Sequence, residues 1–193
     1  QDVLVTETEP AAPGGEKSTG PADEAPGDDR SAPPPSGPDV EVMESLYEEG
    51  AGALALNELD KALRLMDRVL EMDPDHVRAM NDKGFILWEY GNADEAMRLY
   101  DRALELEPFN DEALSNKGVV LYQQGNVEKA EELFARAVQV NEANEEAWVN
   151  RGFALKRLSR YNEALHCFDR ALSLNPQNEA ALSGRENLWS ERF

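Results

Sequence analysis

The sequence predicts an all-α array of stacked helix pairs, and three repeating rows of residues carry this prediction. Four glycines recur every 34 residues without a shift in register, at Gly50, Gly84, Gly118 and Gly152. An alanine row keeps the same spacing, at Ala62, Ala96, Ala130 and Ala164, and a row of large apolar residues follows it, at Met66, Tyr100, Phe134 and Phe168. A fixed period of roughly 20–50 residues is typical of repeat architectures, in which each unit buries its apolar face only against its neighbours. Such a chain offers a long surface for binding.

Within one unit, the spacing predicts two helices that pack on each other. Gly118 and Leu121 follow Leu114 at four and then three residues, which places all three on one face of a helix. A second set with the same spacing begins at Ala130, after a turn at Gly125-Asn126. A glycine inside a helix costs about 1 kcal/mol relative to alanine, so a repeated register of glycines indicates that the paired helices approach closely.

These rows resemble the tetratricopeptide repeat (TPR) family, whose pattern sets apolar, glycine, aromatic, alanine and closing proline positions at fixed offsets. The last full unit carries the pattern at Trp148, Gly152, Leu155, Ala164, Phe168, Ala171 and Pro176. A basic residue stands before each of the last three glycines where the family prefers leucine, and Glu142 replaces one closing proline. The resemblance covers about 43–178 and implies a right-handed superhelix of helix-turn-helix repeats, an α-solenoid.

The repeat register divides the chain into a tail, four units and an end segment. Residues 1–42 hold eight of the eleven prolines, with ten acidic and two basic residues, so we expect a disordered acidic tail. The units are expected at 43–76, 77–110, 111–144 and 145–178. The apolar rows persist for half a unit beyond them, so residues 179–193 are expected to form a capping helix, with Glu186 at the glycine position.

Composition argues against several classes of partner. The net charge is −20, and no basic stripe is present to contact phosphates, so we expect no nucleic acid partner. No apolar run approaches the roughly 20 residues that span a bilayer, so we expect no membrane insertion. The single cysteine, Cys167, fits a reducing compartment and a cytoplasmic location. The lack of a starting methionine also fits a processed or exported form.

Residues that could support catalysis or bind a metal are few and scattered. His76 and His166 lie far apart in the sequence, without partners at ligand spacing. The segment from Gly50 to Ala55 imitates a dinucleotide-binding motif, but a helical pattern precedes it where that motif requires a strand. We therefore expect a non-enzymatic protein with no cofactor.

In the TPR family, the first helices of the repeats line a concave groove that binds a peptide, and helical geometry places ten residues of this chain on that face. Three are polar and lie one repeat apart, at Asp82, Asn116 and Asn150. The others are apolar or basic, at Phe85, Trp88, Val119, Tyr122, Phe153, Lys156 and Arg157. An amide can donate to and accept from a peptide backbone, and aromatic rings add apolar contact area. The aromatic residues could equally pack against neighbouring helices.

Two basic sets interrupt the acidic background. Lys156 and Arg157, with Arg160, end the first helix of the last unit, where cations stabilise a helix C-terminus by about 0.3–1 kcal/mol each. Alternatively, they anchor an acidic group of a ligand. A second basic row borders the packed face and is expected to pair with neighbouring carboxylates, at Lys83, Lys117, Arg151 and Arg185.

The function expected from this sequence is that of an adaptor, which holds an extended or helical segment of a partner protein in its concave groove. The alternative is a structural subunit whose repeats stack into homo-oligomers. Chaperone-binding members of the family hold a terminal carboxylate with a clamp of lysine, asparagine and arginine. Only Asn116 survives from that clamp in this chain, so binding of that type is not expected.

Overall fold

The structure, a computed structural model, describes residues 37–190, and most of the expected tail lies outside the described residues. Within this range the chain forms nine α-helices and no β-strand, which confirms the all-α prediction. The helices are α1 Pro38–Ala55, α2 Leu59–Met72, α3 Val77–Glu89, α4 Ala93–Leu106, α5 Asp111–Gln123, α6 Val127–Val140, α7 Glu145–Arg157, α8 Tyr161–Leu174 and α9 Glu179–Ser190. Helix α1 begins five residues before the expected start of the first unit.

The helices form four antiparallel pairs, α1/α2 to α7/α8, which stack in chain order and end at α9. Each first helix also contacts the first helix of the next repeat, so that α1, α3, α5, α7 and α9 form a continuous layer. Within the described residues, no Cα atoms of any two of the second helices α2, α4, α6 and α8 lie within 8 Å of each other. Because the first helices lie closer together than the second helices, the first helices form the inner, concave face of the array.

The glycine row explains the close approach of the two helices in each pair. A Cβ atom on Gly118 would lie only 2.7 Å from Cε1 of Phe134, and one on Gly84 would lie 2.6 Å from Cε1 of Tyr100. Both aromatic rings are fully buried between the paired helices. The first helix can therefore rest on the ring only where it carries no side chain.

Two further rows with the same period define the ends of the helices. The turn inside each repeat contains one residue in the left-handed region, at Asn57, Gly91, Gly125 and Ser159, with φ between 59° and 86°. The next first helix starts at an N-cap whose side chain accepts a hydrogen bond from the backbone, at His76, Asn110, Asn144 and Asn178. Helix α6 ends at Val140 without a closing proline, because Asn141 already adopts an extended backbone, with φ −134° and ψ 94°.

The final helix keeps the 34-residue register expected for the capping helix, since its N-cap Asn178 follows Asn144 by one repeat and its buried Ala181 follows the buried Ala147. Gly184 lies in the register of Asn150 and contacts the preceding repeat, since a Cβ atom there would lie 2.6 Å from Cε1 of Phe168. Ala181 and Leu188 are buried on the same side of α9, whereas Glu186 is exposed. Phe168 is therefore covered by both Gly152 and Gly184.

The predicted pairing of the second basic row is confirmed. Lys83 lies 2.7 Å from Asp67, Lys117 pairs with Asp101, and Arg185 lies 3.5 Å from Asp169. The corresponding position opposite Arg151 is Ala135, and Arg151 instead pairs with Glu131 at 3.0 Å. Glu131 is 8% exposed and also contacts Arg160, so this third pair is the most buried of the row.

Candidate functional site

Five of the predicted groove residues are apolar and lie on three consecutive first helices of the inner layer. Phe85 and Trp88 of α3, Val119 and Tyr122 of α5 and Phe153 of α7 are all partly buried. Each packs against a core cluster, as expected if these residues contact neighbouring helices, and each keeps part of its surface accessible. The rings of Phe85 and Trp88 lie 5.9 Å apart between centroids. We refer to these five residues as the groove floor.

A row of polar contacts joins neighbouring first helices beside the groove floor. The hydroxyl of Tyr47 donates to Oδ2 of Asp82 at 3.0 Å, and Nδ2 of Asn116 donates to Oδ1 of Asn81 at 3.0 Å. Both pairs join residues 35 positions apart. We call this row the polar ladder. Two predicted groove residues, Asp82 and Asn116, are therefore already bonded to the preceding repeat.

The polar ladder breaks at its third position. The same offset of 35 residues would pair Asn150 with Ser115, which is buried at 5% exposure. The Nδ2 atom of Asn150 is nevertheless buried and has no hydrogen-bond partner among the described residues. A buried donor without an acceptor costs about 1–3 kcal/mol, so this amide is a point where a polar group could be accommodated.

The ladder contains Asn81, which the sequence analysis did not select. Asn81 is 3% exposed, accepts from Asn116, and donates through Nδ2 to Oε2 of Glu112 at 3.2 Å. It lies in the same 34-residue register as Tyr47 and directly precedes Asp82, so the repeat frame could have identified it. Its role became visible only from the contact between α3 and α5.

The electrostatics of the ladder centre on Asp82. Burial raises the pKa of the Asp82 carboxyl above its usual range, and the Tyr47 hydroxyl opposes this shift by hydrogen bonding to the carboxylate. The negative charge of Glu112 raises the Asp82 pKa further. Burial and the adjacent Asp82 carboxylate also raise the pKa of Tyr47. The inner face therefore carries two interacting carboxylates, Asp82 and Glu112, next to the groove floor.

A third row borders the groove near the start of each first helix, at Glu44, Arg78, Glu112 and Glu146. Arg78 lies 3.0 Å from Oε2 of Glu44, and its guanidinium carbon lies 4.1 Å from the centroid of the Tyr47 ring. We call the three glutamates of this row the acidic wall.

Lys156 and Arg157 end α7 as expected, whereas Arg160 lies beyond it, at the N-cap of α8. The guanidinium of Arg157 lies 5.2 Å from the centroid of the Tyr122 ring, and its Nη1 donates to the Tyr122 carbonyl at 3.3 Å. Arg160 is bound by Glu163 at 2.7 Å and by Glu131 at 3.2 Å. Lys156 is partly buried. Arg157 thus stays beside the groove floor, whereas Arg160 stabilises the packing between repeats.

Two residues considered for catalysis, His76 and Cys167, are buried and take part in the packing of the array. Nδ1 of His76 accepts from the backbone of Ala79 at 3.1 Å, and burial raises the pKa of the Cys167 thiol to about 11. A thiol with so high a pKa stays protonated near neutral pH and is a poor nucleophile. Residues 37–190 contain no cluster of three or more His, Cys, Asp or Glu side chains suited to a metal ion. None of the helices in that range is long and apolar enough to cross a membrane.

A separate apolar patch lies at the junction of the second and third repeats, away from the groove floor. Phe109 is 78% exposed and Val140 is 41% exposed. Together with Arg136 and Gln139 they line an open cleft of about 330 Å³. We call these residues the junction patch.

Comparison with known protein families gives one consistent result. Three models described as tetratricopeptide repeat match residues 53–115, 86–147 and 145–178. Together these matches span about two thirds of the chain, including the groove floor and the polar ladder from Asn81 onwards. The comparison with curated proteins returns no match.

Solved structures with a similar fold include three of particular interest. The structure of pilF from Pseudomonas aeruginosa shares 22% identity, with a TM-score of 0.72, over 80% of this chain and 71% of that one. YrrB, described as a TPR protein with an unusual peptide-binding site, shares 22% identity, with a TM-score of 0.60, over 81% and 84%. The first TPR of Spaghetti (RPAP3), bound to an HSP90 peptide, shares 24% identity, with a TM-score of 0.58, over 60% and 92%. At these identities the similarity concerns the fold.

Proposed function

We propose that this chain, which belongs to the tetratricopeptide repeat family, is a non-enzymatic adaptor that holds a segment of a partner protein on its groove floor. The observation that carries this proposal is the set of partly exposed apolar side chains on α3, α5 and α7, three neighbouring first helices of the inner layer. Accessible apolar side chains on one face of a rigid scaffold are typical of a surface that a partner covers.

The chemistry of the groove suits a peptide ligand. Trp88 and Tyr122 offer large apolar areas with few rotatable bonds, so little conformational entropy is lost when a ligand packs on them. The amide of Asn116 uses one of its donors in the polar ladder and keeps its Oδ1 acceptor for a peptide N–H. The unpaired Nδ2 of Asn150 adds a donor for a peptide carbonyl, once a side-chain rotation exposes it.

Two of the similar structures support this use of the fold. RPAP3 is described with a bound HSP90 peptide, and YrrB is described by its peptide-binding site. This chain lacks most of the carboxylate clamp, so we expect its ligand to be held by the groove floor and not by a terminal carboxylate.

Selection from a displayed peptide library against the whole chain tests the proposal. Recovered peptides are titrated against a double variant, Trp88→Ala with Tyr122→Ala, after circular dichroism has shown that the variant is folded. Loss of two aromatic anchors should weaken binding by more than tenfold, since anchor residues dominate the binding energy of an interface. The matched control is Phe109→Ala, which removes an exposed aromatic ring from the junction patch. A peptide that is sensitive to Phe109→Ala and not to the groove variant would contradict the proposal.

Self-association is a second candidate, and the junction patch is the observation that favours it. A ring that is 78% exposed beside an exposed valine is an apolar surface that a second copy could cover. Light scattering over a range of concentrations, on the natural chain and on Phe109→Asp, tests this candidate. A mass that rises with concentration only in the natural chain would support it, and a constant monomer mass would exclude it.

A further inference from the structure

The groove floor is bordered by the acidic wall, and only one of its three glutamates, Glu44, is paired with lysine or arginine within residues 37–190. Arg78 is the one basic residue in the register of the acidic wall, and it is already occupied by Glu44 and the Tyr47 ring. Glu112 and Glu146 are exposed, and neither has an ion pair with a basic residue within residues 37–190. Their charge therefore faces the groove uncompensated.

This arrangement differs from that of one row of carboxylates on the second helices. The members of that row are paired with lysine or arginine, as Asp67 is with Lys83 and Asp169 is with Arg185. The chain has 39 acidic and 19 basic residues, so some carboxylates must lack a partner. The repeat frame places the second basic row toward the second helices and leaves Glu112 and Glu146 of the acidic wall without a basic partner within residues 37–190.

Glu112 is held in position by the polar ladder. Asn81 is fixed by its bond from Asn116 and donates to Oε2 of Glu112, whereas Oε1 of Glu112 makes no hydrogen bond within the described residues. Burial raises the pKa of Asp82, and the negative charge of Glu112 adds to this shift, as expected for neighbouring carboxylates of the same sign. A cation next to them would relieve this repulsion.

We infer that the groove selects a cationic amphipathic segment, whose lysine or arginine side chains lie along the acidic wall and whose apolar side chains cover the groove floor. The inference rests on the proposed groove function and adds the charge of the ligand to it. Charge complementarity supports it, because carboxylates flank the floor and the net charge of −20 attracts a cationic partner over long range.

Three synthetic peptides probe the charge preference directly. They carry leucine at the same positions and lysine, glutamine or glutamate at all others. Binding of each labelled peptide to the full chain is followed by fluorescence anisotropy near physiological ionic strength, where exposed charges farther apart than about 8 Å are largely screened. The lysine peptide should bind most tightly and the glutamate peptide most weakly. Equal affinity for the lysine and glutamine peptides would overturn the inference.

A matched pair of variants separates the acidic wall from general attraction. Glu112→Gln with Glu146→Gln removes two wall charges, and the side-chain carbonyl introduced by Glu112→Gln can still accept from Asn81. Glu128→Gln with Glu132→Gln removes two exposed charges from α6, so both variants have the same net charge. The wall variant should bind the lysine peptide on the order of tenfold more weakly, since each exposed ion pair contributes a factor of up to about five. Equal losses in both variants would overturn the inference, because they would indicate attraction by net charge alone.

The Trp88→Ala variant distinguishes failure of this inference from failure of the proposed function. If the glutamine peptide binds and depends on Trp88, while the lysine peptide gains nothing from the acidic wall, the groove function stands and the charge preference falls. If no peptide depends on Trp88, both fall.

Discussion

The contacts between glycines and aromatic rings predict that one substitution, glycine to alanine, has different effects at different helical positions. In Gly118→Ala the new Cβ would lie 2.7 Å from Cε1 of Phe134 and 3.0 Å from Cδ1 and Cζ. The ring of Phe134 is 1% exposed and cannot move away. Overpacking of this kind costs about 1–3 kcal/mol, partly offset by the gain of about 1 kcal/mol from replacing a helical glycine.

Gly52 in α1 provides the matched control. A Cβ atom at Gly52 would meet no heavy atom within 4 Å, so only the gain in helix propensity, up to about 1 kcal/mol, remains. Gly50 should fall between the two. Its nearest neighbour is Cε of Met66 at 2.7 Å, the free end of a flexible side chain, although Cβ of Leu65 also lies close, at 3.1 Å. The expected order of stability is Gly52→Ala, then Gly50→Ala, then Gly118→Ala.

Thermal unfolding followed by circular dichroism measures this order. For a domain of this size, 1 kcal/mol corresponds to a shift of about 2–4 °C, so Gly52→Ala should unfold several degrees above Gly118→Ala. Adding Phe134→Leu to Gly118→Ala should cost less than the sum of the two single changes, because the smaller side chain makes room for the Cβ atom. Equal shifts for the Gly52 and Gly118 variants would refute the argument that the ring sets the glycine row.

Three further changes test other parts of the structure. Ser159→Gly should raise the free energy of unfolding in urea by about 0.5–1 kcal/mol. Ser159 has φ 60°, in the left-handed region that glycine adopts without strain. Unchanged stability would contradict this argument. Glu131→Gln should lower the free energy of unfolding by about 1–3 kcal/mol, because it weakens a buried pair with Arg151. Asp101→Asn, which weakens an exposed pair, should lower it by less than about 1 kcal/mol. Similar losses in the two variants would mean that burial of the pair does not matter here. Asp82→Asn should stabilise the array at neutral pH, since folding raises the Asp82 pKa and so disfavours its charged form. As the pH falls through the folded pKa of Asp82, the natural side chain takes up a proton and loses its charge. The stability gained by Asp82→Asn should therefore shrink toward about pH 4. A gain in stability that is independent of pH would contradict this mechanism.

The glycine, alanine and aromatic rows could be predicted because packing imposes them independently in every repeat. Each pair of helices must solve the same steric problem, so the same residue type recurs at Gly84, Gly118 and Gly152, and a single register explains all of them. The register of α9 could be predicted for the same reason, since its N-cap Asn178 and its buried Ala181 and Leu188 follow their counterparts in α7 by 34 residues. The contact between Gly184 and Phe168 could not be predicted, because it depends on how the capping helix packs on the preceding second helix.

The polar ladder could not be predicted from the same rows. Its pairs are 35 residues apart, one more than the repeat, because they join different positions on neighbouring first helices. That offset depends on how far one helix is displaced along the next, which the sequence period does not encode. The helical face of Asp82 and Asn116 was predictable, but their bonds to the preceding repeat were not.

The residues of the polar ladder change from one repeat to the next, whereas the glycine, alanine and aromatic rows stay nearly constant. The ladder changes from Tyr47 with Asp82 to Asn81 with Asn116, and then to an unpaired Asn150. Steric packing does not require these changes, since the backbone stacking is the same in all repeats. They alter only the polarity and charge of the ladder, which contains a carboxylate at Asp82 and amides at Asn116 and Asn150. A surface whose chemistry varies along a uniform scaffold distinguishes one end of a bound segment from the other, so the inner face can set the direction in which a partner binds.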